Sequence, residues 1–208
     1  MSTPNQRPTR AEDLFQALPA ADEQAYRRLR RRLVEDADAA GVLDIAYRTI
    51  DTPVGSLLLA ATDHGLVRIA YPGQGHDHVL AKLAEQVSPR ILLAPRRLDP
   101  VARELDEYFA GRRSRFDLEL DWRLAHGFRR QVLAHLPEIG YGKTASYAAV
   151  AAAAGNPRAV RAVGTACATN PLPIVVPCHR VVRSDGTTGG YAGGPRAKQT
   201  LLTLEAAA

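Results

Sequence analysis

The 208 residues could form one large domain or two small ones, and Lys and Arg outnumber Asp and Glu by 27 to 22, a net charge of +5 that mildly favours a polyanionic partner. Two cysteines alone, Cys167 and Cys178, separated by the Asn170-Pro171-Leu172-Pro173 break, leave no disulfide framework and no CxxC zinc site. No apolar run approaches the roughly eighteen residues of a membrane span, and Met1 to Arg10 lack an apolar signal core; a cytoplasmic protein with reduced thiols and no membrane partner is expected.

Residues 1 to about 10 read as a disordered tail, and Ala21 to Ala40 as a helix that stops at Gly41. That helix carries Arg27, Arg28, Arg30, Arg31 and Arg32. A solvated face paired with Glu35, Asp36 and Asp38 explains them more simply than phosphate binding does. Residues 1–40 form an N-terminal extension, partly helical, to which the sequence assigns no role.

From Ile45 the pattern becomes β-prone: Ile45 to Ile50, Ser56 to Thr62 and Leu66 to Tyr71 are separated by the turn chemistry of Thr52-Pro53-Val54-Gly55 and Asp63-His64-Gly65, which predicts an antiparallel meander. Asp77 to Val87 and Asp99 to Phe109 follow as helices, the second with Asp99 as N-cap, Pro100 at N1 and Gly111 beyond its end. Residues 41–123 are read as a scaffold domain. A boundary falls near 121 to 127, before a helix over Phe128 to Leu136, and residues 124–208 form the second, mostly helical domain. The fold class is α/β: an N-terminal domain with a small antiparallel sheet and helices, then a C-terminal domain with a helix-turn-helix.

Ser146 to Ala154 predicts a short Ala-rich helix. Gly155-Asn156-Pro157 supplies a C′ glycine, an N-cap and an N1 proline before a second helix to about Thr169, the signature of a helix-turn-helix. Val160, Val163 and Cys167 form an apolar stripe, so Cys167 is read as packing. The other face sets Arg158, Arg161 and Thr165 among Ala162, Gly164 and Ala166, small enough for close approach to a groove. An Ala-rich packing helix with solvated arginines fits that segment equally well.

Ile174-Val175-Val176 reads as a buried strand ending at Pro177, with Cys178-His179-Arg180 directly after it. An imidazole and a guanidinium beside a cysteine predict an electropositive setting that favours the nucleophilic thiolate. A Cys-His pair alone remains weak evidence, because most buried cysteines are inert.

The longer series is specific. Ser146-Tyr147, Asn156-Pro157, Arg161-Ala162-Val163-Gly164, Asn170-Pro171, Pro177-Cys178-His179-Arg180-Val181, Gly190-Tyr191-Ala192-Gly193-Gly194, Lys198, Leu201-Leu202 and Glu205 span some eighty residues in order. Together they resemble the O6-alkylguanine-DNA alkyltransferase family. The resemblance implies single-turnover DNA repair, with a methyl or larger alkyl group moving irreversibly from O6-alkylguanine, and from O4-alkylthymine as a second substrate, to Cys178. It implies His179 as base, Glu205 orienting the imidazole, Asn170 bracing the site and Tyr147 assisting the leaving guanine. Tyr191, Ala192, Pro173 and Lys198 would line the substrate pocket.

The same resemblance gives Arg161 the space left by a flipped base and places Arg129, Tyr147, Ala148, Asn156 and Ser184 along the DNA. Alkylated double-stranded DNA is the implied partner and a monomer is expected, with cooperative assembly on DNA left open. No metal or organic cofactor is implied. Ala148 and Ala192 depart from common family residues, and Ala192 lacks the hydroxyl many members have; Lys143 replaces a common acidic residue. A lesion-binding module without an acceptor is disfavoured by Cys178, and a general Cys-His hydrolase by the absence of recognisable oxyanion machinery.

Overall fold

The computed structural model describes residues 22–207. The predicted tail over residues 1 to about 10 lies outside them. Helix α1 spans Glu23–Ala39, with the Asp22 carboxylate accepting from the Gln24 and Ala25 N–H groups as N-cap. It buries no residue. Its arginines pair along the helix, Arg27 with Glu23, Arg31 with Glu35 and Arg32 with Asp36. Asp38 instead reaches Arg97 at 3.6 Å.

The sheet contains β1 (Ile45–Thr52), β2 (Gly55–Thr62), β3 (Gly65–Ala70) and β4 (Ile91–Leu93), in the order β3-β2-β1-β4. The first three form the expected antiparallel meander. The sequence reading omitted β4, which pairs parallel with β1 through Ile45 and Ile91, so the sheet is mixed. Three residues are too few to show a periodicity, and only the return of the chain beside β1 makes them a strand.

Strand β2 is buried on both faces, and the pleat divides its side chains. Leu58 and Ala60 join Ile45, Val67, Val79 and Leu83 beneath α2 (His76–Gln86). Leu57 and Leu59 face the other way, against Leu98, Leu105 and Tyr108 near α3 (Asp99–Phe109). Asp99 is not the N-cap expected of it: a 3-10 turn over Pro95–Leu98 leads into α3, Leu98 takes the cap position, and the Asp99 carboxylate pairs with Arg48 at 2.7 Å.

After a 3-10 turn at Trp122–Leu124, the remaining helices are α4 (Gly127–His135), α5 (Tyr147–Ala153), α6 (Val160–Ala168) and α7 (Gly194–Ala206). A two-stranded parallel element joins β5 (Ala145–Ser146) to β6 (Val181–Val182). One hydrophobic core runs from Leu57 and Tyr108 through Leu133 and Val163 to Cys178 and Leu201, so the sheet-bearing and helical parts pack as one body. Edge strand β3 meets the later chain directly, the Ile69 N–H donating to the Pro171 carbonyl over 2.8 Å.

Candidate active site

The segment after α6 is a buried strap instead of the predicted strand. Pro173 and Val176 form an isolated bridge and the Val176 N–H donates to the Leu172 carbonyl, so residues 172–176 turn back on themselves. Ile174 sits at φ 76°, which is costly for a β-branched residue, and it is held there by burial. Pro177, at φ −80° and ψ 61°, makes an inverse γ-turn that closes with the Cys178 N–H on the Val176 carbonyl at 2.8 Å.

Asn170 ties the strap together. Its Oδ1 accepts from the Leu172 N–H, while Nδ2 donates to the Val176 carbonyl at 2.8 Å and lies 3.1 Å from Cys178 Sγ. Cys178 begins a 3-10 turn with His179 and Arg180, and all three side chains are buried.

Glu205, on the last turn of α7, collects five donors. Its Oε1 accepts from His179 Nε2 at 2.8 Å, Tyr108 Oη at 2.7 Å and an Arg180 terminal nitrogen at 2.9 Å. Its Oε2 accepts from Arg180 Nε at 2.8 Å and the Gly142 N–H at 3.2 Å. Burial would raise its pKa, but the bonds from His179 and Arg180 prevail and hold it at about 2. Because Nε2–H donates to the carboxylate, the lone pair of the neutral imidazole lies on Nδ1, which is buried with no hydrogen-bond partner.

The predicted electropositive stabilisation of the thiolate is overridden. Burial pushes the Cys178 pKa up to about 11, against the opposing Asn170 hydrogen bond and the charge of Lys198. Arg180, the expected cationic neighbour, spends its guanidinium on Glu205. The resting nucleophile is therefore a thiol, and its proton must be removed as it attacks. Burial also lowers the His179 pKa, partly countered by Glu205, so the imidazole is neutral and able to accept that proton.

Tyr191 and Lys198 adjoin this group. Tyr191 bonds Tyr71 hydroxyl to hydroxyl at 2.9 Å and lies edge-on to the His179 ring, centroids 6.3 Å apart. Lys198, fully buried, donates through Nζ to the Val181 carbonyl at 2.6 Å. Ala192 is half-buried and Pro173 buried in the strap. Tyr147, the first residue of α5, is half-buried with its hydroxyl so close to Gly189 that a Cβ there would collide with it.

The helix-turn-helix is α5, a turn, and α6. Ser146 caps α5 by accepting from the Ala149 N–H, and Gly155 takes φ 79° as its C′ residue. Asn156 and Pro157 do not start the second helix as predicted. They form a further turn, the Ala159 N–H donating to the Asn156 carbonyl, and α6 begins at Val160. The predicted stripe shifts with it: Val163, Ala166 and Cys167 are buried, whereas Val160 is 38% exposed. Ala166 thus leaves the open face, where Arg158, Arg161, Ala162 and Thr165 remain exposed.

Ala148, Asn156 and Ser184 are exposed as well, Ser184 in the loop that follows β6. Arg129 differs. It is half-buried, donating to the Leu124 carbonyl and the Thr169 hydroxyl.

Four contributors were missed. Tyr71 and Tyr108 come from the sheet-bearing part, where buried tyrosines look like ordinary core. Arg180 was read as a neighbour of the thiol instead of a clamp on Glu205, and Gly142 contributes only its backbone. An Arg directly after Cys-His was the one available signal among them.

Residues 45–122 match the family described as "6-O-methylguanine DNA methyltransferase, ribonuclease-like domain", and residues 127–207 its "DNA binding domain". A methylated-DNA–protein-cysteine methyltransferase of Mycolicibacterium paratuberculosis is 42% identical over 161 residues, covering 77% of this chain and 92% of that protein. A constitutive one from Bacillus subtilis is 39% identical, covering 76% and 94%. Among solved structures, Mycobacterium tuberculosis OGT in complex with DNA is 38% identical, covers 78% of this chain and 93% of that one, and superposes with a TM-score of 0.65.

Proposed function

Because the chain belongs to the 6-O-methylguanine DNA methyltransferase family, and so repairs DNA by transferring an alkyl group from O6-alkylguanine to a cysteine of its own, we propose that Cys178 is the acceptor and His179 its base. The carrying observation is the chain of contacts Asn170–Cys178 and His179–Glu205 in one buried site.

The thiol proton passes to His179 Nδ1, directly or across one bridging water, while Nε2–H stays bonded to Glu205. Sγ attacks the alkyl carbon, the C–O6 bond breaks, and its electron pair leaves with guanine, towards which Tyr147 offers its hydroxyl proton. The imidazolium so formed sits against a carboxylate that is ionised throughout neutral pH. The resulting thioether has no leaving group that water could displace, so each chain acts once. Cys178 is 2% exposed, so a base must be brought to it, and flipping out of the duplex is the route.

Within this reading, Arg161, Ala148, Asn156 and Ser184 contact the DNA, with Arg129 supporting the end of α6. Tyr191, Ala192, Pro173 and Lys198 surround the substrate. Residues 124–208 bind DNA and accept the alkyl group, residues 41–123 brace them, and the chain acts as a monomer on double-stranded DNA.

Mass analysis after incubation with an O6-methylguanine duplex tests it. One methyl group should appear on the Cys178 peptide, with at most one lesion repaired per protein. Repeated turnover, or labelling confined to Cys167, would overturn the assignment.

A further inference from the structure

Beside α2 and the C-terminal end of α6 lies a cleft of about 350 Å³ whose lining shares only Asn170 with the group around Cys178. The rest of its polar wall is made by Arg68 of β3, Lys82 of α2, Arg129 of α4, Gln74, Gln86 and Thr169, and no carboxylate lines it. The other half-buried or buried arginines among the described residues are paired: Arg48 with Asp99, Arg97 with Asp38, Arg113 with Glu104 and Arg180 with Glu205. Arg68 and Arg129 are comparably half-buried but have no acidic partner among the described residues.

Arg68 is the least satisfied of them. Its Nε is buried without any hydrogen-bond partner, and burial depresses the guanidinium's pKa. Arg68 thus carries a desolvation cost with no counter-charge beside it, which an anion bound between it, Lys82 and Arg129 would offset. Arg129 commits two donors, to Leu124 and Thr169, and a guanidinium has five, so it keeps donors for a ligand. Gln74 accepts the Tyr71 N–H through its carbonyl oxygen, which leaves its amide N–H₂ free to donate.

We propose that this cleft binds a phosphate group, held by Arg68 and Lys82 with Arg129 and the glutamine amides around it. Guanidinium forks match phosphate oxygens, and an ammonium adds a point charge. The phosphate could belong to a DNA backbone passing over α2 or to a free phosphate or nucleotide.

Titration of the full chain with inorganic phosphate at fixed ionic strength is the test. Saturable single-site binding is expected, weakened about tenfold by Arg68→Met and by Lys82→Ala and largely retained in Arg68→Lys. Lys82 is exposed on α2, so its variant reports on binding without a folding defect. A second arm measures the salt dependence of binding to undamaged duplex. Loss of about one unit of slope per cation removed, together with competition by phosphate, assigns the cleft to DNA backbone; an unchanged slope assigns it to free phosphate or nucleotide. Absence of saturable phosphate binding, or equal affinity in the wild-type protein and both neutralising variants, would overturn the site. Transfer from free O6-benzylguanine, followed in parallel, reports on Cys178 alone and keeps failure of the cleft separate from failure of the alkyl-acceptor assignment.

Discussion

Tyr108 of α3 donates its hydroxyl to Glu205 of α7 over 2.7 Å, so the sheet-bearing half of the chain supplies a ligand to the carboxylate that orients His179. A hydrogen bond to a buried carboxylate is worth about 1.5–3 kcal/mol. Tyr108→Phe keeps the ring among Phe109, Phe116 and Tyr141 and removes that one bond. Stability in urea should fall by about that amount, and single-turnover transfer from O6-benzylguanine should slow because Glu205 gains freedom to leave the imidazole. Unchanged transfer in a destabilised variant would limit Tyr108 to packing.

In the acid range the site's pH dependence follows from its two groups whose pKa values are depressed on folding. His179 is held below its ordinary 6.5, so the unfolded chain takes up that proton first and stability falls as pH drops through about 6.5. Glu205, held at about 2 against 4.5, stabilises the fold above 4.5, and that contribution is lost between about 4.5 and 2. Both act in one direction, so acid destabilises the protein in two stages. Glu205→Gln should shrink the lower stage in a urea series across pH to what Asp44 and Asp185, also held low, contribute. It should also move the acid limb of the transfer rate to lower pH, because Glu205 is what raises the His179 pKa. An acid limb that stays in place would remove His179 as the base.

Arg161 is exposed on α6, and no ion pair holds it among the described residues. Arg161→Ala should therefore leave stability within about 0.5 kcal/mol of wild type. If it fills the gap left by a flipped base, transfer from duplex DNA should fall tenfold to a hundredfold, roughly 1–3 kcal/mol, while reaction with free O6-benzylguanine stays near normal. Equal losses on both substrates would remove the flipping role.

Local pattern made much of this molecule legible. The meander, α2, α3 and the two helices of the helix-turn-helix follow from periodicity and turn residues, and the ordered run from Tyr147 to Glu205 marks the site. What stayed hidden depends on contacts distant in sequence. Strand β4 exists only through β1, Asp99 abandoned a cap for Arg48, and Tyr108 meets Glu205 across 97 positions. The thiolate expectation failed for a related reason: adjacency in sequence put Arg180 beside Cys178, whereas folding turned the guanidinium to Glu205 and buried the sulfur.

Gly193 offers a steric test of the wall shared by Tyr71, Tyr191 and His179. A Cβ at Gly193 would lie 2.6–2.8 Å from Tyr71 ring atoms, closer than packed carbons tolerate. That ring cannot swing aside cheaply: it is 2% exposed and tethered by the 2.9 Å hydroxyl contact to Tyr191. Gly193→Ala should thus cost about 1–3 kcal/mol of stability by overpacking. It should also slow transfer from duplex and free base alike, since displacing Tyr71 shifts Tyr191, whose edge meets the His179 ring. Gly190→Ala is the matched control, because a Cβ there meets nothing within 4 Å and its backbone is not in the left-handed region. The contact predicts a clear gap between the two variants in thermal unfolding; coincident curves would show that the Tyr71 ring does not pack against Gly193.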